Sequence, residues 1–214
     1  MQSWAEYKAH LKNKRFLISV FVGILLLILS IVMNFYAGLY AVERASNSVT
    51  DLILSNTQTM DVDGIFIYGS FIFWIFVTIL CLLKPNRIPF ILKSIALFVF
   101  IRSIFISVTH IGPFPDQILI NPESLINKFT SGADLFFSAH TGLPYLMALA
   151  FWNQKALRFF FLLVSMVFGA VVLLGHLHYS IDVLSAFFIT YTIFHLSELT
   201  FKRDRAVFLN GLNG

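Results

Sequence analysis

Two segments of the sequence carry residues suited to acid–base and nucleophilic chemistry. His178 and Asp182 are four apart, so on a helix they share one face and reach each other. A carboxylate bonded to one ring nitrogen of an imidazole fixes its tautomer and leaves the other nitrogen free and more basic. His140, on a separate segment, supplies a second proton-transfer group. Two imidazoles, one backed by a carboxylate, suit in-line displacement at phosphorus: one attacks while the other protonates the departing oxygen. A buried arginine such as Arg102 is a natural clamp for a phosphate oxygen. Blander readings stand beside this one. The His178/Asp182 pair could be a structural clip between helices, Arg102 an ion-pair partner, and Asp134 a charge favoured by a helix N-terminus. His176 cannot share the helical face of His178 and reads as a supporting or substrate-side residue. His110 belongs to a loop, and His195 with Glu198 to the opposite end of its helix. A metal reading also competes, because His176, His178, Asp182 and His140 offer enough nitrogen and oxygen donors for zinc.

The elements that must position these groups follow from composition. Of 214 residues, 58% are hydrophobic and 12% charged, with 25 Phe and a net charge of +4. The mean hydropathy is +0.82. Average soluble domains are about a quarter charged, so a water-soluble domain is excluded, and the aromatic content excludes disorder. The charge is too small and dispersed for a nucleic-acid binder. A single cysteine, Cys81, allows no intrachain disulfide framework. The chain reads as an all-α, polytopic membrane protein.

Spans of about 20 apolar residues are needed to cross a bilayer. Six transmembrane helices are expected: about Phe16–Tyr40, Ile65–Leu83, Ile88–Thr109, Asp134–Trp152, Phe159–Leu177 and Tyr179–Leu199. The first is too long for a signal-peptide core and reads as a retained span. Residues 1–15 are expected as a cytoplasmic segment, 16–200 as the membrane catalytic domain and 201–214 as a cytoplasmic tail. Lys8, Lys12, Lys14 and Arg15, Lys84, Arg87 and Lys93, Lys155 and Arg158, and Lys202, Arg203 and Arg205 all fall on one side of six spans. The positive-inside rule then places both termini in the cytoplasm. Arg102, Asp134, His140, His178 and Asp182 converge at one depth beneath the opposite face, which looks to a lumen, periplasm or exterior. Ionisable groups at such a depth are functional candidates by default.

The strings Asp134-Leu-Phe-Phe-Ser-Ala-His140-Thr and Gly175-His-Leu-His178-Tyr-Ser-Ile-Asp182-Val resemble the two signature blocks of the sphingomyelin synthase family. That family lies within the type 2 phosphatidic acid phosphatase (PAP2, lipid phosphate phosphatase) superfamily. Its blocks read approximately G-D-x-x-F-S-G-H-T and H-x-H-Y-T-I-D-V; Ala139 and Ser180 replace a Gly and a Thr. Arg102, followed by Gly112-Pro113-Phe114-Pro115, is similar to the family's arginine and its Pro-containing exit from the third helix. The resemblance covers about residues 65–200 and implies a six-helix PAP2-like core. It implies a catalytic triad of His140, His178 and Asp182, with His178 as nucleophile, His140 as acid then base, and Asp134 tuning His140. It implies no metal and no cofactor. The K-x6-R-P block of ordinary type 2 phosphatases is absent, and their Arg six residues before the third-block His is Val172 here. A charge-poor site suits a phosphodiester monoanion better than a monoester dianion.

The expected function is therefore cleavage of a phospholipid phosphoester and transfer of the phospho-headgroup to a lipid alcohol, ceramide or diacylglycerol, or to water. The alternatives are a lipid phosphatase acting on phosphatidate or polyprenyl phosphate, and a non-catalytic membrane scaffold or transporter.

Overall fold

The computed structural model describes residues 4–117 and 135–213. Asp134, one of the expected site residues, lies outside the described residues. The described elements are all helical: α1 (Trp4–Lys12), α2 (Lys14–Glu43), a π-turn (Ile65–Gly69) leading into α3 (Ser70–Leu83), α4 (Ile88–Val108), α5 (Ala139–Ala150), α6 (Lys155–Leu174), α7 (Ser180–Thr200) and α8 (Lys202–Asn210).

Five stretches are long and apolar enough to cross a membrane: Lys14–Glu43, Ile65–Leu83, Pro85–Val108, Lys155–Leu174 and Ser180–Thr200. The sequence predicts a sixth over Asp134–Trp152, but the helix there is α5, with 12 residues. At ~1.5 Å per residue that is about 18 Å, short of a ~30 Å hydrocarbon core. The cause is local. Phe137 has a positive φ of 35°, which breaks helical continuity. The Ser138 hydroxyl then accepts from the Thr141 amide as an N-cap. Most of α5 is buried among the longer helices.

Small residues allow close packing where the site is built. Gly23, Ser30 and Ala37 recur every seven residues on the buried face of α2, and a Cβ at Gly23 would sit 3.1 Å from Leu92 of α4. At Gly142 of α5 a Cβ would lie 2.7 Å from the Phe98 ring and 2.8 Å from Thr190 Oγ1. That glycine wedges α5 between α4 and α7. On the other flank α3 leans on α6 through Phe76 against Phe160 and Phe73 against Phe161.

The end of the bundle away from the histidines is basic and tied together. Arg87 donates to Gln154, Arg205 to the Ala150 carbonyl, and Lys93 pairs with Asp204 at 2.6 Å. The C-terminal segment does not trail away as a tail. It forms α8, which returns Phe208 to the core against Phe90 and Phe151, while Asn86 donates to the carbonyls of Val207 and Phe208.

Candidate active site

Three chain segments meet at the far end of the bundle: the start of α5, the loop into α7, and the last turns of α4. His178 is buried, 8% exposed, just ahead of α7. Its Nδ1 donates to the Leu135 carbonyl at 2.8 Å and lies 3.5 Å from Asp182 Oδ2. A proton held at Nδ1 leaves Nε2 with the lone pair in the neutral ring. Asp182 is fully buried. Its Oδ2 also accepts from the Tyr179 amide at 2.9 Å, so the carboxylate caps α7 while facing the imidazole. Its Oδ1 has no hydrogen-bond partner. The Asp182 carbonyl accepts from the Ser138 amide at 3.1 Å, which ties the α7 start to the α5 start.

His140 occupies the first turn of α5. Its ring stacks on Phe66 of the π-turn, with centroids 4.1 Å apart and planes at 29°, and meets Phe168 edge-on. The π-turn is what turns Phe66 toward the imidazole. Arg102 is buried in α4, donating from Nε to the Phe137 carbonyl at 3.3 Å and from Nη1 to Asn34 Oδ1 at 3.1 Å. Its guanidinium thus fixes the strained connection preceding His140. The bonds at Phe137 and Ser138 tie the turn that carries His140 to Arg102 on one side and to the His178/Asp182 pair on the other.

His176 has a different place. It adopts a left-handed backbone with φ of 51°. Its Nδ1 lies 3.2 Å from Thr59 Oγ1 and its Nε2 3.4 Å from Thr57 Oγ1, and Phe114 covers the ring edge-on. The sequence reads it as a supporting or substrate-side residue; both its nitrogens face hydroxyls of the 41–64 loop, as a supporting residue would. Steric closeness reinforces this seam, since a Cβ at Gly175 would come within 2.6 Å of Val62. His110 hydrogen-bonds back to Ser107, and His195 pairs with Glu198 at the basic end.

Several contributors have no chemical signature in the sequence. The Leu135 acceptor is a backbone atom. Asp51 lies far from any motif, yet its Oδ2 accepts from both the amide and the hydroxyl of Ser180 at 2.7 Å, and its Oδ1 accepts from Ile53 and Leu54. Burial alone would raise the Asp51 carboxyl, but bonds from Ser180, Leu54 and Ile53 hold it below the usual carboxylate range. The Tyr179 phenol donates to Gly112 and accepts from Val49, tying the segments around those two residues to the α7 start. Asn34 does have a sequence signal, as the lone amide inside the apolar run of α2.

A cavity of about 110 Å³ opens beside His140, lined by Ser70, Phe73, Trp74, Leu143, Pro144 and Phe168. Trp74 and Leu143 also line a second, strongly apolar cavity of about 540 Å³ between α2, α3 and α4. Among the described residues no group of three or more His, Cys, Asp or Glu is placed to hold a metal ion.

Residues 132–199 match the family model described as PAP2 superfamily C-terminal. This supports membership of the PAP2 superfamily. His140, His178 and Asp182 fall inside the matched stretch and Arg102 outside it. No curated protein and no solved structure matches the chain. Superfamily membership supports a phosphatase- or phosphotransferase-type lipid phosphoesterase activity in a multi-pass membrane protein.

Proposed function

We propose that the chain is a membrane lipid phosphotransferase that cleaves a phospholipid headgroup linkage and passes the phospho-headgroup to a lipid hydroxyl or to water. The observation that carries this reading is the His178 ring, held at Nδ1 by Leu135 and Asp182, with the first turn of the His140 helix tied to Asp182 through Ser138 and to Arg102 through Phe137. His178 Nε2 attacks phosphorus, a P–N bond forms, and the P–O bond to the leaving alkoxide breaks. Protonated His140 gives its proton to that oxygen. In the second half His140 takes the proton of the acceptor hydroxyl, whose oxygen attacks phosphorus and displaces His178. Arg102 stabilises the phosphoryl oxygens.

The cavities support a substrate with a long chain. Trp74 and Leu143 line both the His140 cavity and the 540 Å³ apolar cavity, so a phosphate beside His140 has an apolar space for its acyl chain next to it, lined further on by Val77, Cys81 and Ile91. Lateral access of this kind keeps the tail in lipid throughout. Two observations bear on charge. Arg102 is the permanent cation of the cluster, and Arg44, at the same end, lies over Tyr40 instead. One guanidinium matches a diester monoanion, whereas a monoester dianion favours more cations. The start of α2 and α8 lie at the basic end, which the positive-inside rule assigns to the cytoplasm, so in this reading the site faces the lumen, periplasm or exterior.

The test is a product assay on the purified protein. Radiolabelled phosphatidylcholine is supplied with ceramide, with diacylglycerol or alone, and phosphatidate separately. Headgroup transfer, or release of phosphocholine to water, supports the proposal. Inorganic phosphate from phosphatidate alone replaces it with the phosphatase reading. No product from any substrate leaves the scaffold or transporter reading.

A further inference from the structure

The seam between α2 and α4 is flanked by a second groove, on the side away from the His140 cavity. At the basic end it begins as a polar pocket of about 340 Å³ lined by Asn13, Arg15, Ser19, Lys93, Arg203 and Asp204. Lys93 also lines an apolar cavity of about 230 Å³, bounded by Leu26, Leu29, Ala96, Leu97, Phe100 and Phe201. The two therefore meet at one side chain. The lining positions form stripes, Arg15, Ser19, Val22, Leu26, Leu29 on α2 and Pro89, Lys93, Leu97, Phe100 on α4, at the three- and four-residue steps of one helical face. From Arg15 to Ser30 the groove runs about 22 Å along α2 at ~1.5 Å per residue, more than the ~15 Å of one leaflet's hydrocarbon.

Charge is asymmetric along this groove. At its floor Lys93 Nζ bonds Asp204 at 2.6 Å and Ser19 at 2.7 Å, so that pair cancels. Arg15 and Arg203 at the mouth are exposed and have no ion-pair partner among the described residues. The mouth is thus left with two uncompensated guanidiniums above an apolar slot. The 540 Å³ cavity on the other side of the seam differs at this level, where Leu82 and Ile88 line it.

We infer that this groove binds an anionic glycerophospholipid of the leaflet at the basic end, its phosphate between Arg15 and Arg203 and one acyl chain along Leu26, Leu29, Leu97 and Phe100. Guanidiniums suit a phosphate through paired N–H donors, and basic pockets between membrane helices recognise anionic headgroups. The occupant is not the proposed substrate, because the polar pocket that takes its headgroup is lined by Pro89 and Lys93, toward the opposite end of α4 from Arg102. The site is independent of the proposed reaction. Because α8 supplies Arg203 and Asp204, the bound lipid would clamp α8 to α2 and α4.

Native mass spectrometry of the full-length protein tests this, in the His178→Ala background so that no lipid is consumed. The protein is offered equimolar dioleoylphosphatidylglycerol and dioleoylphosphatidylcholine in detergent. Preferential retention of phosphatidylglycerol is expected. It should fall roughly thirtyfold in Arg15→Gln/Arg203→Gln, the scale for two headgroup-facing charges, and largely persist in Arg15→Lys/Arg203→Lys. Leu26→Trp, which narrows the slot without altering charge, should lower retention of both lipids. Equal retention of the two lipids by the parent protein would overturn the inference, as would a preference that survives the double Gln variant. Full competition by inorganic phosphate would also overturn it, by marking a site for the free ion. Should the Gln variant fail to fold, the Lys and Leu26→Trp variants decide on their own.

Discussion

The imidazole of His178 is held by a backbone atom as well as by its carboxylate: its Nδ1 donates to the carbonyl of Leu135 at 2.8 Å, while Asp182 Oδ2 stands at 3.5 Å. The two acceptors divide the usual work of a triad carboxylate. The carbonyl selects the tautomer and the ring orientation. The carboxylate supplies negative charge against the imidazolium and caps α7 through Tyr179.

That division predicts unequal mutants. His178→Ala removes the proposed nucleophile and should lower turnover by roughly 10⁴-fold or more. Asp182→Asn should cost much less, on the order of 30- to 100-fold. Where the carboxylate alone fixes the tautomer, the same change costs ~10⁴-fold; here the Leu135 carbonyl keeps the proton on Nδ1. Steady-state rates of the two variants, with thermal melts to verify folding, make the comparison. A loss in Asp182→Asn as large as in His178→Ala would show that Leu135 does not set the tautomer. Asp182→Ala is a different experiment, because it strands the buried Tyr179 amide at a cost of about 1–3 kcal/mol.

The zinc alternative gives a second prediction. Some of its donors are engaged, His178 Nδ1 by Leu135 and both nitrogens of His176 by Thr59 and Thr57, while His178 Nε2 and Asp182 Oδ1 remain as donors a metal would need. Turnover should be unchanged after dialysis against EDTA, and metal analysis of the active protein should find no stoichiometric zinc. Activity lost to EDTA and restored by zinc would reinstate the metal reading.

How much of this is legible in the sequence depends on whether the information is side-chain spacing or backbone geometry. The i, i+4 relation of His178 and Asp182 is a spacing, and the structure has them 3.5 Å apart. The long apolar runs give α2, α3, α4, α6 and α7 to within a few residues, because burial in lipid leaves a periodicity-free signal 20 residues long. The start of α5 is not legible, since it is decided by the φ of Phe137. Leu135 acts through its carbonyl, so its side chain gives no hint. Asp51 meets Ser180 across 129 positions, and no local pattern encodes that contact. The sequence sets His176 off the face of His178 but does not say where it goes; its left-handed backbone turns it toward Thr57 and Thr59. The basic residues around 202–205 read as a solvated tail because charge dominates there; Phe208 and Asp204 instead dock α8 on the bundle.

Asp51 predicts a pH dependence. Its carboxylate is held below the usual range by the Ser180, Leu54 and Ile53 donors. A carboxyl depressed on folding contributes stability that is fully present above its unfolded value of about 3.9, and that is lost as pH falls through the lower folded value. Asp51→Asn should therefore be less stable than the parent near pH 7, by about 1.5–3 kcal/mol for charge-assisted bonds to a buried group. Thermal melts from pH 7 downward should show the two proteins converging below about pH 4. A gap that stays constant through that range would mean that the ionised form is not what closes the loop on α7.

The apolar cavity next to His140 predicts chain-length selectivity. Thr78 lines it, is exposed, and sits one turn beyond Trp74, the residue shared with the His140 cavity. Thr78→Trp should fill the path of a long chain while leaving the imidazoles untouched. The expected outcome is a fall in kcat/KM of about tenfold or more for dioleoyl substrates, the scale of about two buried methylenes at ~0.8 kcal/mol each, with little change for dihexanoyl substrates, whose tails end before residue 78. Because Thr78 does not touch the cluster, equal losses for both substrates would indicate a folding defect, which melting temperatures would reveal. Unchanged kcat/KM for the long-chain substrate in a well-folded variant would mean that the acyl chain lies elsewhere.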